Sequence, residues 1–356
     1  MRKLVGHLKN VGFPRIVEVS ENARKKIRNI LEGMECSSVI LVTGKNVYKA
    51  TASRIEERLE GLILRTIFVT SLKVGSVRKV EFEIGFEEVD GIVGVGGGRV
   101  LDFGKVLATE INVPFISIPS TASHDGIASP IASFRERGKP ISISTDPPAA
   151  VLADITIIRN SPIRLVRSGY GDLISNVTAV KDWKLGKDVV GEEYNEVAAS
   201  MALMPANLLL VEAERLDLKT PSHLELLVKG LILSGVTISL VGNSRPVSGA
   251  EHKFSHALDY LGYGKGTHGE QVGLGTIIME YFHEKAYGIG DWELIKKSLE
   301  KIHAPTTAKE IGLTKEQLIE ALEYAKKIRR KRYTILEDLN PTKNDFEIAI
   351  EKTGIV

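Results

Sequence analysis

Along the first 160 residues, short apolar runs alternate with segments whose apolar positions recur at helical spacing. The runs SSVILVTG (37–44), LILRTIFV (62–69), VDGIVGVGGG (89–98) and VPFISIPS (113–120) predict strands. Between them, YKATASRIEERLEG (48–61), VRKVEFEIGFEEV (77–89) and VLDFGKVLATEI (100–111) predict helices. Near-continuous apolar strands separated by helices imply a parallel sheet covered on both faces, a doubly wound α/β unit. ASFRERGKPISIST (132–145) alternates as a hairpin turning at Gly138, and AVLADITIIRN (150–160) reads as a further strand pair or extended piece. Asn160-Ser161-Pro162 then breaks the pattern, and helical periodicity dominates to the last residue. The expected division is therefore an α/β unit, residues 1–161, and an all-helical unit, residues 162–356.

Composition narrows the chemistry. With 47 Lys and Arg against 45 Asp and Glu, the net charge of +2 argues against a nucleic-acid partner. The basic run Lys326–Tyr333 (KKIRRKRY) then reads as a solvated helix face. A single cysteine, Cys36, excludes an internal disulfide and any paired-thiolate metal site, so a metal would need His, Asp or Glu ligands. No stretch of about 18 uncharged apolar residues predicts a membrane span. The apolar segment 227–243 contains Lys229 and many small residues, and reads as a buried helix. The first twenty residues lack the apolar core of a signal peptide, so a cytoplasmic location is expected.

Two loops follow strands at the end where open α/β sheets bind ligands. In the first, Gly96, Gly97 and Gly98 precede Arg99, Val100, Leu101 and Asp102 at the start of a helix. Glycines there let an anion approach backbone N–H groups, and the helix dipole assists, which suits a nucleotide phosphate. The second, Ser120-Thr121-Ala122-Ser123-His124-Asp125 through Ser129, is small and hydroxyl-rich, as ribose and pyrophosphate contacts require. The stretch Val69–Lys73 carries no acid to hold a ribose 2′-hydroxyl, so NADPH as well as NADH is admissible.

The helical half gathers histidines. His252 and His256 stand at i and i+4, on one helix face, and His268 follows sixteen residues after His252 between small residues. Upstream, Asp172 offers a carboxylate in GYGD. One Asp and two His with an open fourth position would suit a catalytic divalent cation, although periodicity does not choose which three meet. His7, His223, His283 and His303 read as ordinary core or surface residues.

At these residues the chain resembles the iron-dependent alcohol dehydrogenase, glycerol dehydrogenase and dehydroquinate synthase superfamily. GVGGGRVLDFGK, PSTASHDGIASP, LADITII, GYGDLISN, GAEHKFSHALD and GTHGEQVG carry the resemblance, in that order, over nearly the whole chain. PSTASHDGIASPIAS and SRPVSGAEHKFSHALD are most similar to the branch that makes the glycerol phosphate backbone of archaeal lipids. The resemblance implies a nucleotide-binding α/β domain followed by an all-helical metal domain. It implies one divalent metal per subunit, normally zinc, on Asp172, His252 and His268. Asp125 and His256 would stand beside the substrate. Gly98 to Asp102, Ser120 to Ser123, and Ser129 would contact NAD(P)H. The implied reaction is reduction of dihydroxyacetone phosphate to sn-glycerol 1-phosphate in a homo-oligomer. The metal would act as a Lewis acid on the ketone oxygen, with Asp172 also beside the substrate, and His256 is the candidate proton relay, with bulk water as its rival. Arg245 and Lys253, flanking the metal-binding helix, are the candidate partners of the substrate phosphate. A glycerol or polyol dehydrogenase and a dehydroquinate synthase-like lyase are the alternatives.

Overall fold

A computed structural model describes residues 12–85, 87–136 and 139–356. Gly138, the expected hairpin turn, and His7 lie outside the described residues. Six strands form one parallel sheet in the order β1-β8-β5-β4-β2-β3: β1 (Ile16–Ser20), β2 (Val39–Thr43), β3 (Ile63–Phe68), β4 (Gly91–Gly96), β5 (Phe115–Pro119) and β8 (Ala150–Asp154). Every residue of β2, β4, β5 and β8 is buried, because helices cover both faces. Two further strands, β6 (Ile131–Glu136) and β7 (Lys139–Ser144), pair antiparallel outside this sheet.

Chain direction reverses between β2 and β4. From β2 the chain moves outward to β3, and from β4 it moves the other way to β5. The carboxyl ends of β2 and β4 therefore open onto a crevice of the kind that receives ligands in such sheets. After β4 the glycine run leads directly into the Gly98–Ile111 helix.

Two expectations change. AVLADITIIRN is one strand and then a short helix, Ile155–Arg159, not a strand pair. The cause is Asp154, whose carboxylate accepts the N–H groups of Thr156 and Ile157 and caps the turn. β1, unforeseen, pairs with β8 at the sheet edge.

From Ile163 onward the described residues form helices only. Helix Pro221–Val241 is long and apolar enough to cross a membrane by length and composition, yet most of that span is buried within the protein. Its Gly235 lets a loop press against it: a Cβ there would lie 2.7 Å from the Ser129 nitrogen and 2.9 Å from the Asp125 carbonyl oxygen. That contact helps fix the loop carrying Asp125.

Candidate metal and cofactor site

Asp172, His252 and His268 come from three different helices, Ile163–Ile174, Ala250–Leu261 and His268–Tyr287. Their potential ligand atoms all lie within 4.8 Å of one another. His252 Nε2 is 3.6 Å and His268 Nε2 3.4 Å from Asp172 Oδ1. Glycines make the convergence possible. A Cβ on Gly171 would stand 2.4 Å from the Gly269 carbonyl oxygen, and one on Gly269 would stand 1.8 Å from that of Ser168. The two helices thus touch through bare backbone beside Asp172 and His268. A capping box, Thr267 with Glu270, starts the second helix at His268. Arg164 grips Glu270 through two bonds of 2.7 Å and fixes that end.

Glu251 is fully buried, and its role is not legible from the motif alone. Its Oε1 accepts the Gly249 N–H at 2.6 Å and lies 2.7 Å from His252 Nδ1. A proton on Nδ1 leaves the Nε2 lone pair aimed at Asp172, the arrangement that second-shell carboxylates impose on metal-binding histidines. Burial disfavours a charge on His252, but the Asp172 and Glu251 carboxylates outweigh it and raise its pKa to about 9. Burial would likewise raise Asp172, yet the His252 hydrogen bond and nearby imidazoles hold it down to about 2. His268 falls to about 4, chiefly through burial. One carboxylate and two imidazoles converging within 4.8 Å, with Glu251 behind His252, make a donor set that fits a divalent metal.

The neighbouring groups divide by role. Asp125 donates its backbone N–H to Asp172 Oδ2 at 3.0 Å, which ties the loop after β5 to the triad. Burial, then the Asp172 charge, raises the Asp125 carboxyl to about 6. The His256 ring lies 6.5 Å from that of His252 and 6.4 Å from that of His268, beside the triad and outside it. Burial, and next the Arg329 charge, push its pKa well below the usual histidine value.

A cavity of about 850 Å³ opens over the sheet crevice. Gly97, Gly98, Arg99, Val100, Ser120, Thr121 and Ser123 line it. Gly96, Leu101, Asp102, Ala122 and Ser129 do not, and each has a structural reason. A Cβ on Gly96 would lie 2.5 Å from that of Val100, so this glycine permits close helix packing. Helical rotation turns Leu101 into the core. Asp102 pairs with Lys105 at 3.0 Å and accepts the Ser133 N–H. Ala122 is fully buried under Gly169. The Ser129 hydroxyl donates to the Ile131 carbonyl. Lys105, itself fully buried, donates to the carbonyls of Gly126, Ser129 and Ile131 and so staples the second loop in place. The Gly44–Val47 turn, Arg54, the Val69–Leu72 stretch and the Asn160–Pro162 break also line it. Only the glycine ending the β2 run had signalled the Gly44–Val47 turn. No acidic residue lines the cavity, whereas Lys45, Arg54 and Arg99 do, without ion-pair partners among the described residues.

Both candidate phosphate partners are committed elsewhere. Lys253 is buried against Glu337 and the Arg332 carbonyl. Arg245 Nη2 is ion-paired with Glu192 at 2.8 Å and donates to the carbonyls of Asp182 and Tyr333. Its Nε and Nη1 are buried without partners. These two cations fasten the helical half and do not face the triad as free charges. The basic run is solvated but not helical: Lys327, Arg329, Arg330 and Lys331 are exposed, while the preceding helix ends at Ala325 and Arg329 takes a φ of 44°.

Residues 18–162 match the family profile of the iron-containing alcohol dehydrogenases. The chain is 59% identical to a glycerol-1-phosphate dehydrogenase (NAD(P)+) of Archaeoglobus fulgidus, over 98% of this chain and 99% of that one. It is 43% identical to the enzyme of the same name from Pyrococcus furiosus, over 97% and 99%. Among solved structures, a sulfoacetaldehyde reductase from Bifidobacterium kashiwanohense in complex with NAD+ superposes with a TM-score of 0.77 at 18% identity, covering 98% and 99%. A glycerol dehydrogenase from Schizosaccharomyces pombe gives 0.75 at 19%, covering 97% and 93%. These last two share the fold. With near-complete coverage at 59% identity, the chain belongs to the glycerol-1-phosphate dehydrogenase family, on the fold of the iron-containing alcohol dehydrogenases.

Proposed function

We propose that the chain reduces dihydroxyacetone phosphate to sn-glycerol 1-phosphate with NAD(P)H. The observation that carries this reading is the join between triad and cofactor loop: one loop supplies Ser120, Thr121 and Ser123 to the cavity and the Asp125 N–H to Asp172. Asp172, His252 and His268 would hold the metal, and zinc suits this mixed oxygen and nitrogen set. When bound, a divalent cation supplies Lewis-acid polarisation of the substrate carbonyl.

The chain's own residues do the rest. The Gly97–Val100 turn presents backbone N–H groups and a helix N-terminus to the cofactor pyrophosphate. Asp125 and neutral His256 flank the reacting carbon and orient its hydroxyl groups. With Lys45 and Arg54 on the wall and no carboxylate there, a 2′-phosphate is welcome, and NADPH is the better reductant. Residues 1–161 serve as the cofactor unit and 162–356 as the metal unit, in a cytoplasmic homo-oligomer. For a lipid-precursor enzyme, product configuration is decisive. Purified enzyme with NADPH should consume dihydroxyacetone phosphate far faster than free dihydroxyacetone and yield the sn-1 isomer by chiral analysis. Equal use of the unphosphorylated ketone would instead support a polyol dehydrogenase, and the sn-3 isomer would overturn the reading.

A further inference from the structure

We infer that Arg329 and Arg332, with the hydroxyls of Ser142, Ser244 and Ser248, form the seat of the substrate's phosphomonoester. This rests on the proposed reduction of dihydroxyacetone phosphate, and supplies the cationic site that Arg245 and Lys253 do not.

Neither arginine forms an ion pair among the described residues. Arg329 Nη1 reaches Ser244 Oγ at 3.4 Å and Ser248 Oγ at 3.3 Å, and its Nη2 reaches Ser142 Oγ at 3.5 Å. These are long bonds to neutral acceptors, so the guanidinium retains donor capacity. Arg332 Nη2 donates to Ser244 Oγ at 2.9 Å, and its Nη1 to the Ser248 carbonyl. Two guanidinium groups thus share one pair of serines, and the nearby Glu192, which lines the same pocket, is ion-paired with Arg245 and with neither of them. The electrostatics show the imbalance. Burial, followed by the charges of Arg329 and Arg245 and offset in part by Glu251 and Glu192, lowers Arg332 to about 9, while the Arg329 side chain is exposed. Like charges gathered this way are unfavourable alone and favourable around a dianion, to which serine hydroxyls can also donate.

Position agrees. Ser244 and Ser248 precede the helix that carries His252 and His256, and Ser142 lies on β7, which packs across that helix. Among the charges acting on His256, Arg329 has the largest effect, above those of His252 and His268. The bonds to Ser244 and Ser248 bring the guanidinium to the segment that enters the His252–His256 helix. In dihydroxyacetone phosphate, the carbonyl oxygen and phosphorus are separated by roughly 4–5 Å at ordinary bond lengths. A ketone held at the triad would extend its phosphate past His256 toward this pair. Arg329 takes a left-handed backbone, uncommon for a residue with a Cβ, in the turn that follows the helix ending at Ala325.

Steady-state kinetics on the holoenzyme test the assignment. Arg329→Met should lower kcat/KM for dihydroxyacetone phosphate by about 10- to 100-fold, mostly through KM. Turnover of free dihydroxyacetone, which has no phosphate to seat, should fall far less, so that discrimination between the two narrows by about the same factor. Arg329→Lys should recover part of the loss. Inorganic phosphate should inhibit the wild type competitively against dihydroxyacetone phosphate and inhibit Arg329→Met more weakly. Because Arg332 is more enclosed, Ser142→Ala provides the second, milder variant, with a smaller rise in KM. Unchanged discrimination in Arg329→Met, or phosphate inhibition that is not competitive, overturns the seat. A wild type that does not reduce dihydroxyacetone phosphate would instead overturn the proposed function, so the two failures are distinguishable.

Discussion

Removing the charge of Glu251 should weaken metal binding without displacing a ligand. In Glu251→Gln an oxygen can still accept from Gly249 N–H and from His252 Nδ1, now 2.6 and 2.7 Å from Oε1. What disappears is the negative charge that favours a proton on Nδ1 and makes Nε2 more basic. Loss of such a second-shell partner weakens metal binding by about 10- to 100-fold, or roughly 1.4–2.7 kcal/mol. The Gln variant should fall near the lower end, since its geometry is retained. Glu251→Ala should fall near the upper end and also lose about 1–3 kcal/mol of stability, because the buried Gly249 N–H is orphaned. Metal-stripped protein titrated with zinc against a chromophoric chelator at fixed pH measures the affinity directly. Circular dichroism checks that each variant is folded. Wild-type zinc affinity in a folded Glu251→Gln protein would refute the argument that Glu251 orients and activates His252.

Three further outcomes are expected. A Cβ at position 98 would lie 2.1 Å from His124 Nε2, and that ring is held by its Nδ1 accepting the Gly126 N–H at 2.9 Å, so Gly98→Ala should cost about 1–3 kcal/mol, read as weaker NADPH binding by fluorescence and a lower Tm. Replacing both Lys45 and Arg54 by Ala should reduce the preference for NADPH over NADH by about tenfold in kcat/KM, with NADH kinetics little altered. The third outcome concerns alkaline stability. Tyr170 is fully buried, and burial pushes its hydroxyl up to about 12. Its stabilising contribution is complete below the unfolded pKa of about 10 and is lost as pH rises from there through about 12, by about 1 kcal/mol at pH 11. Denaturant midpoints at pH 8 and 11 should therefore converge in Tyr170→Phe relative to wild type, and equal alkaline losses in both would refute this source.

The sheet was legible where burial was two-sided. Val39–Thr43, Gly91–Gly96 and Phe115–Pro119 are apolar runs because both faces are covered. β1 was not legible, since an edge strand with partly exposed Glu18 and Ser20 has no such run. The helix after Asp154 was hidden because a cap residue, and not periodicity, starts it. At the site, the i and i+4 spacing of His252 and His256 placed both on one face, but ligand choice depends on the Gly171–Gly269 contact between distant helices. The family motifs carried that long-range fact, which local pattern does not contain. The basic run was misread only in its helix: Lys327, Arg329, Arg330 and Lys331 are exposed as expected, but on turns beyond Ala325. A different error befell Arg245 and Lys253, whose nearness in sequence to the metal helix said nothing of Glu192 and Glu337.

The central claim is that dihydroxyacetone phosphate is reduced at a metal held by Asp172, His252 and His268. It is tested most directly by stripping the enzyme with a chelator, returning zinc in measured steps, and following NADPH oxidation with dihydroxyacetone phosphate. Activity should be absent without metal and rise linearly to a plateau at one equivalent per chain, and Asp172→Asn should shift or abolish that titration. Full activity in demonstrably metal-free protein would contradict the account.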